Sequence, residues 1–249
     1  MLNKSVEVSI KTLTDYHLEA FISCPYRFYN QYILSKTSSH VHWRVEVQKA
    51  INNIVKDYYQ LSNKDQNTVG LLKLIEQNWK SIHINMFENK IQYYIVLSKI
   101  TDHLLILLSS HETTLPPLFL YEKVQTYIKE LETTISLTFE VAEWSKKTYI
   151  LKKYLLDCDE EWIMLYQYLS TVFSHQAFGA LPERIEMISL IEGKKYIFYP
   201  TEQEISKGLH YLEFIKDWIQ KPNRYKKINL FNQCVKCPLN KRCEVQIME

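Results

Sequence analysis

TTISLTFEVAEWSKKTYILKKYLL, residues 133–156, contains two runs, TTISLTFEVAEW and KTYILKKYLL, that alternate apolar with polar positions and are rich in β-branched and aromatic side chains. Runs of this kind are strands on a half-buried sheet. LYEKVQTYIKEL just before them has the same character, so the strand region opens near residue 119. Upstream the period is helical. Residues 43–59 place Val47, Ile51, Ile54 and Tyr58 on one face, and further helices are expected over 69–87 and 90–109. Thr14 and Asp15 open a capped helix through Leu18, Phe21 and Ile22, which Pro25 ends directly after Cys24. A second helix is read over 26–34. Downstream, 160–173 is an apolar helix and 184–190 with 195–199 form a hairpin turning at Glu192 and Gly193. Residues 202–220 are amphipathic through Ile205, Leu209, Leu212, Ile215 and Trp218. The chain is therefore α/β in the α+β sense, with a helical N-terminal half and a central sheet flanked by helices.

With 46% hydrophobic and 23% charged residues, 249 residues suffice for a sizeable core, and 4 Gly and 7 Pro leave no linker-like stretch. One domain is expected over 1–249: a helical part at 1–115, a sheet core at 116–200, and a last helix with a cysteine cluster at 201–249. A net charge of +2 excludes a strongly basic chain. Lysine pairs at 146/147, 152/153 and 194/195 fit solvated turns. Lys221, Arg224, Lys226, Lys227, Lys241 and Arg242 form a basic group that is either a DNA-facing patch or another solvated segment. No uninterrupted apolar run reaches the ~18 residues that span a bilayer, so no membrane is expected, and Leu104 to Leu108 reads as core.

The cysteines carry the chemistry. Cys234, Cys237 and Cys243 stand at C-x2-C-x5-C spacing, and Cys24 lies 210 positions before Cys234 (234 − 24), so one site built from all four closes nearly the whole chain. Four thiolates satisfy a tetrahedral zinc or a [4Fe–4S] cluster, while disulfides are their other use. MLNKSVEVSI at the start has charges where a signal peptide has its apolar core, so a reducing cytoplasm is expected and metal is favoured. Cys158, alone in LLDCDEEW, reads as a small buried hydrophobe.

DYHLEAFISCPYRFYNQYIL and QCVKCPLNKRC resemble the opening and closing cysteine segments of iron–sulfur nucleases of the PD-(D/E)XK superfamily, such as the nuclease domain of AddB-type helicase–nuclease subunits and the Cas4-like proteins. The order of strands and helices between the cysteines resembles that fold too. The resemblance implies a nuclease-like mixed sheet and a [4Fe–4S] cluster on Cys24, Cys234, Cys237 and Cys243 that joins the two ends of the chain. It also implies DNA as ligand and a helicase or nuclease subunit as partner.

Active members of that family hold divalent metal with a helix histidine, an aspartate on one strand, and an Asp or Glu two residues before a lysine on the next. Hard oxygens suit Mg²⁺ or Mn²⁺, which generate the attacking hydroxide. By that pattern Glu140 takes the first acidic position, and Leu151, Lys152 and Lys153 take the acid-x-Lys element, so the second carboxylate is a leucine. The histidine position falls on Gln48, because His40 and His42 come one or two turns too early. Trp162 stands where active members have glutamine, and Tyr166 four residues on is retained. Glu140 and Lys153 are then remnants left as an ion pair.

Asp157, Asp159, Glu160 and Glu161 are a second acidic set, read as the cap of the helix that follows rather than as a cation site. The eight histidines show no zinc spacing, and His83 is read as part of a helical SIHINMF segment. Tyr26, Phe28, Tyr29 and Tyr32 are read as packing around Cys24 rather than as a base-stacking platform. The expectation is a catalytically degenerate iron–sulfur nuclease-fold protein of DNA repair, recombination or defence, binding DNA or scaffolding a helicase/nuclease assembly. An active Mg²⁺- or Mn²⁺-dependent DNA exonuclease and a zinc-stabilised protein-interaction module are the alternatives.

Overall fold

The structure, a computed structural model, describes residues 10–35, 42–108 and 115–222. A short strand β1 (Thr12–Thr14) leads into α1 (Asp15–Ser23), which is closed by a reciprocal cap: the Thr14 hydroxyl accepts from the His17 N–H at 3.1 Å and the His17 ring from the Thr14 N–H at 3.4 Å. Pro25 opens α2 (Pro25–Phe28), and a π-helical turn, Tyr29–Ile33, continues it, so the helix read over 26–34 has two parts. Then follow α3 (Trp43–Gln60), α4 (Thr68–Trp79) and α5 (Lys90–Leu108).

Three readings change in this half. The strand β1 was not expected in a helical region. Helix α4 stops at Trp79, not at 87; the chain turns there so that Trp79, Ile82 and Phe87 all reach the core, and His83 lies in that turn rather than in a helix. Helix α5 is long and apolar enough to cross a membrane by length and composition, because intervening polar residues break the apolar run without lowering its mean hydropathy below that of such spans. In the fold Val96, Ile100, Leu104 and Leu108 point into the core, and its outward face carries Lys99 and Asp102.

The strands are β2 (Phe119–Ile128), β3 (Thr133–Trp144), β4 (Tyr149–Leu155), β5 (Arg184–Ser189) and β6 (Lys194–Phe198), with α6 (Glu160–Phe178) after β4 and α7 (Glu202–Ile219) after β6. Asp159 caps α6 by accepting from the Trp162 N–H at 2.9 Å, as its place before Glu160 implies. The described strands form one six-stranded mixed sheet. β4 is parallel to β5, and β3–β4 and β5–β6 are antiparallel. One face packs on α1, α6 and α7 through Leu18, Phe21, Leu151, Met187, Tyr166 and Ile215; the other packs on α3, α4 and α5 through Val141, Tyr154, Ile188, Ile51 and Ile100. Gly208 lets α7 approach α6, since a Cβ there would sit 2.7 Å from Val172. The result is three layers with the sheet in the middle.

Candidate functional site

β3 is paired along one edge with β2, but its other edge is shared. Thr12–Thr14 of β1 run parallel beside Thr134–Ser136, while Tyr149–Lys152 of β4 run antiparallel beside Trp144–Val141. Between the two ladders, residues 137–140 have no described strand beside them on that edge. Backbone polar groups left there must find side chains. Asp15, the first residue of α1, accepts from the Thr138 N–H at 3.2 Å, and Glu140 accepts from the Tyr154 N–H at 2.9 Å where β4 leaves β3. The sheet thus opens into a fork whose gap is bridged by two carboxylates.

Lys153 occupies the fork. Its ammonium lies 2.8 Å from Glu140, with both side chains almost wholly buried, and sits 5.0 Å from the ring centre of Tyr166 and 5.9 Å from that of Trp162. Burial alone disfavours the charged lysine, but the Glu140 carboxylate outweighs it and holds the Lys153 pKa above the usual lysine range. Burial pushes the Tyr166 hydroxyl up to about 12, against the pull of Lys153. Glu19 on α1 adds a third carboxylate facing this pair: burial raises its pKa, and Lys153 and Arg27 oppose the rise.

Helix α3 grips the end of β4. The Gln48 amide donates to the Tyr154 carbonyl at 2.8 Å and accepts from the Leu156 N–H at 2.7 Å; its nitrogen also meets Asn52 at 2.8 Å. Arg44, stacked 4.6 Å over Trp43, reaches Asp157 at 2.5 Å. Tyr154 is therefore held from both sides, its N–H by Glu140 and its C=O by Gln48.

The strand pleat shifts at the fork. Ile135, Leu137 and Phe139 face the α1/α6/α7 layer, yet it is Ala142, not Val141, that continues there, while Val141 turns to the opposite core. Across the ladder Leu120 pairs with Val141 and Glu122 with Phe139, so Tyr121 stands opposite Glu140, and it has a left-handed φ of 51°. Such a backbone is costly for a tyrosine. Its hydroxyl is buried with no hydrogen-bond partner among the described residues.

A second polar network lies on the other face of the same strand. Lys152 is 2.6 Å from Glu143, which also accepts from the Tyr59 hydroxyl at 2.5 Å. Glu186 on β5 lies 2.6 Å from Arg184 and 3.2 Å from Lys195. Consecutive lysines, 152 and 153, are thus buried within β4 rather than on a solvated turn; they point to opposite faces, and each finds a glutamate of β3.

The structure brings together Glu140, Lys153, Gln48, Trp162 and Tyr166, the positions picked out by the family pattern, on four different elements. Leu151 is a core leucine, 1% exposed, pairing with Ala142. Asp157 and Asp159 are occupied by Arg44 and by the α6 cap. Asp15 and Glu19 were missed; the capping pattern around Thr14 was the only hint that a carboxylate stood there. Cys24 is half-buried with a free thiol among the described residues, and its carbonyl accepts from the N–H of buried Phe28 at 3.0 Å. Cys234, Cys237 and Cys243 lie outside the described residues, as do Arg224, Lys226, Lys227, Lys241, Arg242 and His40. Lys221 pairs with Asp217 one turn back. Burial pushes the half-buried Cys158 thiol up to about 12. Among the described residues no group of three or more His, Cys, Asp or Glu is placed to hold a metal ion.

No family model and no curated protein matches the chain. Among solved structures it is similar to a crystal structure of a candidate exonuclease from Eubacterium rectale, at 10% identity and a TM-score of 0.55, covering 94% of this chain and 89% of that one. At that identity the likeness is one of fold: the two chains share an α+β architecture.

Proposed function

We propose that this is an iron–sulfur nuclease-fold protein of DNA processing that no longer cuts. In this reading it binds DNA, or scaffolds a helicase/nuclease assembly, and Cys24, Cys234, Cys237 and Cys243 hold a [4Fe–4S] cluster that ties the chain ends together. The observation that carries the loss of chemistry is the state of the fork. Both oxygens of Glu140 are engaged, by Lys153 and by the Tyr154 N–H, and both ends of the Gln48 amide are engaged by β4. A metal there would have to displace an ammonium at 2.8 Å and would meet leucine where a second carboxylate is needed.

The test is a nuclease assay on anaerobically prepared protein with linear single- and double-stranded DNA and Mg²⁺ or Mn²⁺, with Glu140→Ala as control. No cleavage, with DNA retained in a steeply salt-dependent way, is the expected result. Cleavage abolished by Glu140→Ala would establish the second reading, an active metal-dependent exonuclease. Asp15 and Glu19 add negative charge near Glu140, but the three carboxylates are not placed to hold a metal ion together. The cluster is tested separately, by broad visible absorption, acid-labile sulfide and iron content against zinc.

A further inference from the structure

The last two turns of α7 present an apolar face that no described element covers. Phe214 is 61% exposed, and its ring lies 5.6 Å from that of half-buried Trp218. Trp218 in turn lies 5.9 Å from Phe21, one turn before Cys24 on α1. The ring contacts thus run from exposed Phe214 through half-buried Trp218 to buried Phe21. The face carries the exposed carboxylate of Glu213 beside Phe214 and the ion pair of Asp217 with Lys221, while Lys216 turns away to the Leu131 carbonyl at 2.5 Å. The chain leaving this face at Pro222 reads NRYKKINLFNQC to Cys234. It offers Arg224, Lys226 and Lys227 to the Glu213 carboxylate, and Tyr225, Ile228, Leu230 and Phe231 to the exposed rings.

We infer that residues 224–231 dock on the Phe214 face of α7 and so carry Cys234 back to Cys24. The reach suffices: the twelve residues from Pro222 to Cys234 (234 − 222) span up to about 40 Å. Doubling back over two helical turns and returning needs about 22 Å. Apolar contact supplies the attraction, and the opposite charges fix which segment lies there. A nucleic acid fits this face worse, because its phosphates would meet Glu213 while Lys221 is already engaged by Asp217. The inference extends the proposed four-cysteine site by naming the surface that guides the tail to it.

Hydrogen exchange of the full chain, read over residues 224–231, tests it. The expected result is exchange at least about tenfold slower than in a free peptide of that sequence, with protection lost in Phe214→Ser and reduced in Glu213→Lys. Both substitutions are at exposed positions, so the fold persists. Metal and sulfide are measured in parallel, with Cys234→Ser as control. Free exchange of 224–231 in a protein whose metal depends on Cys234 overturns the docking while leaving the cluster reading intact. A protected, Phe214-dependent segment in a protein that binds no metal supports the docking and removes the cluster reading. Protection unchanged in Phe214→Ser, protection seen only with added single-stranded DNA, or a dimer that Phe214→Ser dissociates, would each overturn the inference.

Discussion

At the scale of single residues, the Glu140–Lys153 pair concentrates the energetics of the fork. A buried pair is a poor net source of stability, but removing one partner strands the other charge. Lys153→Met is expected to cost about 3–5 kcal/mol, and Glu140→Leu combined with Lys153→Met to recover most of it, in urea titrations of the three variants. Because the Lys153 pKa is raised in the folded state, the stability it confers is complete below the unfolded value of about 10.4 and fades as pH rises through the folded value. The wild type should therefore lose stability in the alkaline range where the double variant does not. Much of this site was legible in sequence. Glu140, Lys153, Gln48 and Tyr166 were picked out through the family resemblance, while strand and helix periods alone show only that their elements exist. Asp15 and Glu19 were not, because a fork between two strands joins residues more than a hundred positions apart and no local pattern reports it.

At the scale of elements, the joint between α3 and β4 rests on one amide. Gln48→Leu leaves the Tyr154 carbonyl and the Leu156 N–H without partners and is expected to cost about 2–4 kcal/mol in thermal or urea unfolding, whereas Asn52→Ala, which touches only the amide, should cost much less. On the β5–β6 side, burial would raise the Glu186 carboxyl, but Arg184 and Lys195 more than offset it and hold it low. Its contribution is present above about pH 4.3 and is lost as pH falls through the folded value, so Glu186→Gln should flatten the acid limb of the stability profile. The elements themselves were mostly legible: strands 133–144 and 149–155 and helix 43–60 follow their periods closely. β1 escaped notice because three residues carry no period, and the end of α4 did because Trp79, Ile82 and Phe87 look helical while reaching the core through a turn.

At the scale of the whole molecule, β3, β4 and β5 contribute side chains to both cores, so neither layer of helices has a sheet of its own. One cooperative transition is expected, with near-UV signals from the aromatics of both faces melting together in a single thermal scan. Two separated transitions would mean that α3–α5 form an independent unit. The sequence could not show this sharing, because alternation tells which residues are buried but not that the pleat shifts beside Glu140. The consecutive lysines of β4 have a kinetic consequence. YILKKYL is apolar at both ends and cationic on both faces, so a strand slipped by one residue still buries apolar groups, but it offers a lysine to only one of Glu140 and Glu143. Hydrophobic patterning alone cannot reject that slip. The glutamate left without a lysine does, because its charge would be buried unpaired, which makes the double lysine–glutamate match a proofreading contact during folding. Without it, refolding should divide into a direct population and one delayed by misaligned chains that must reopen before they can finish.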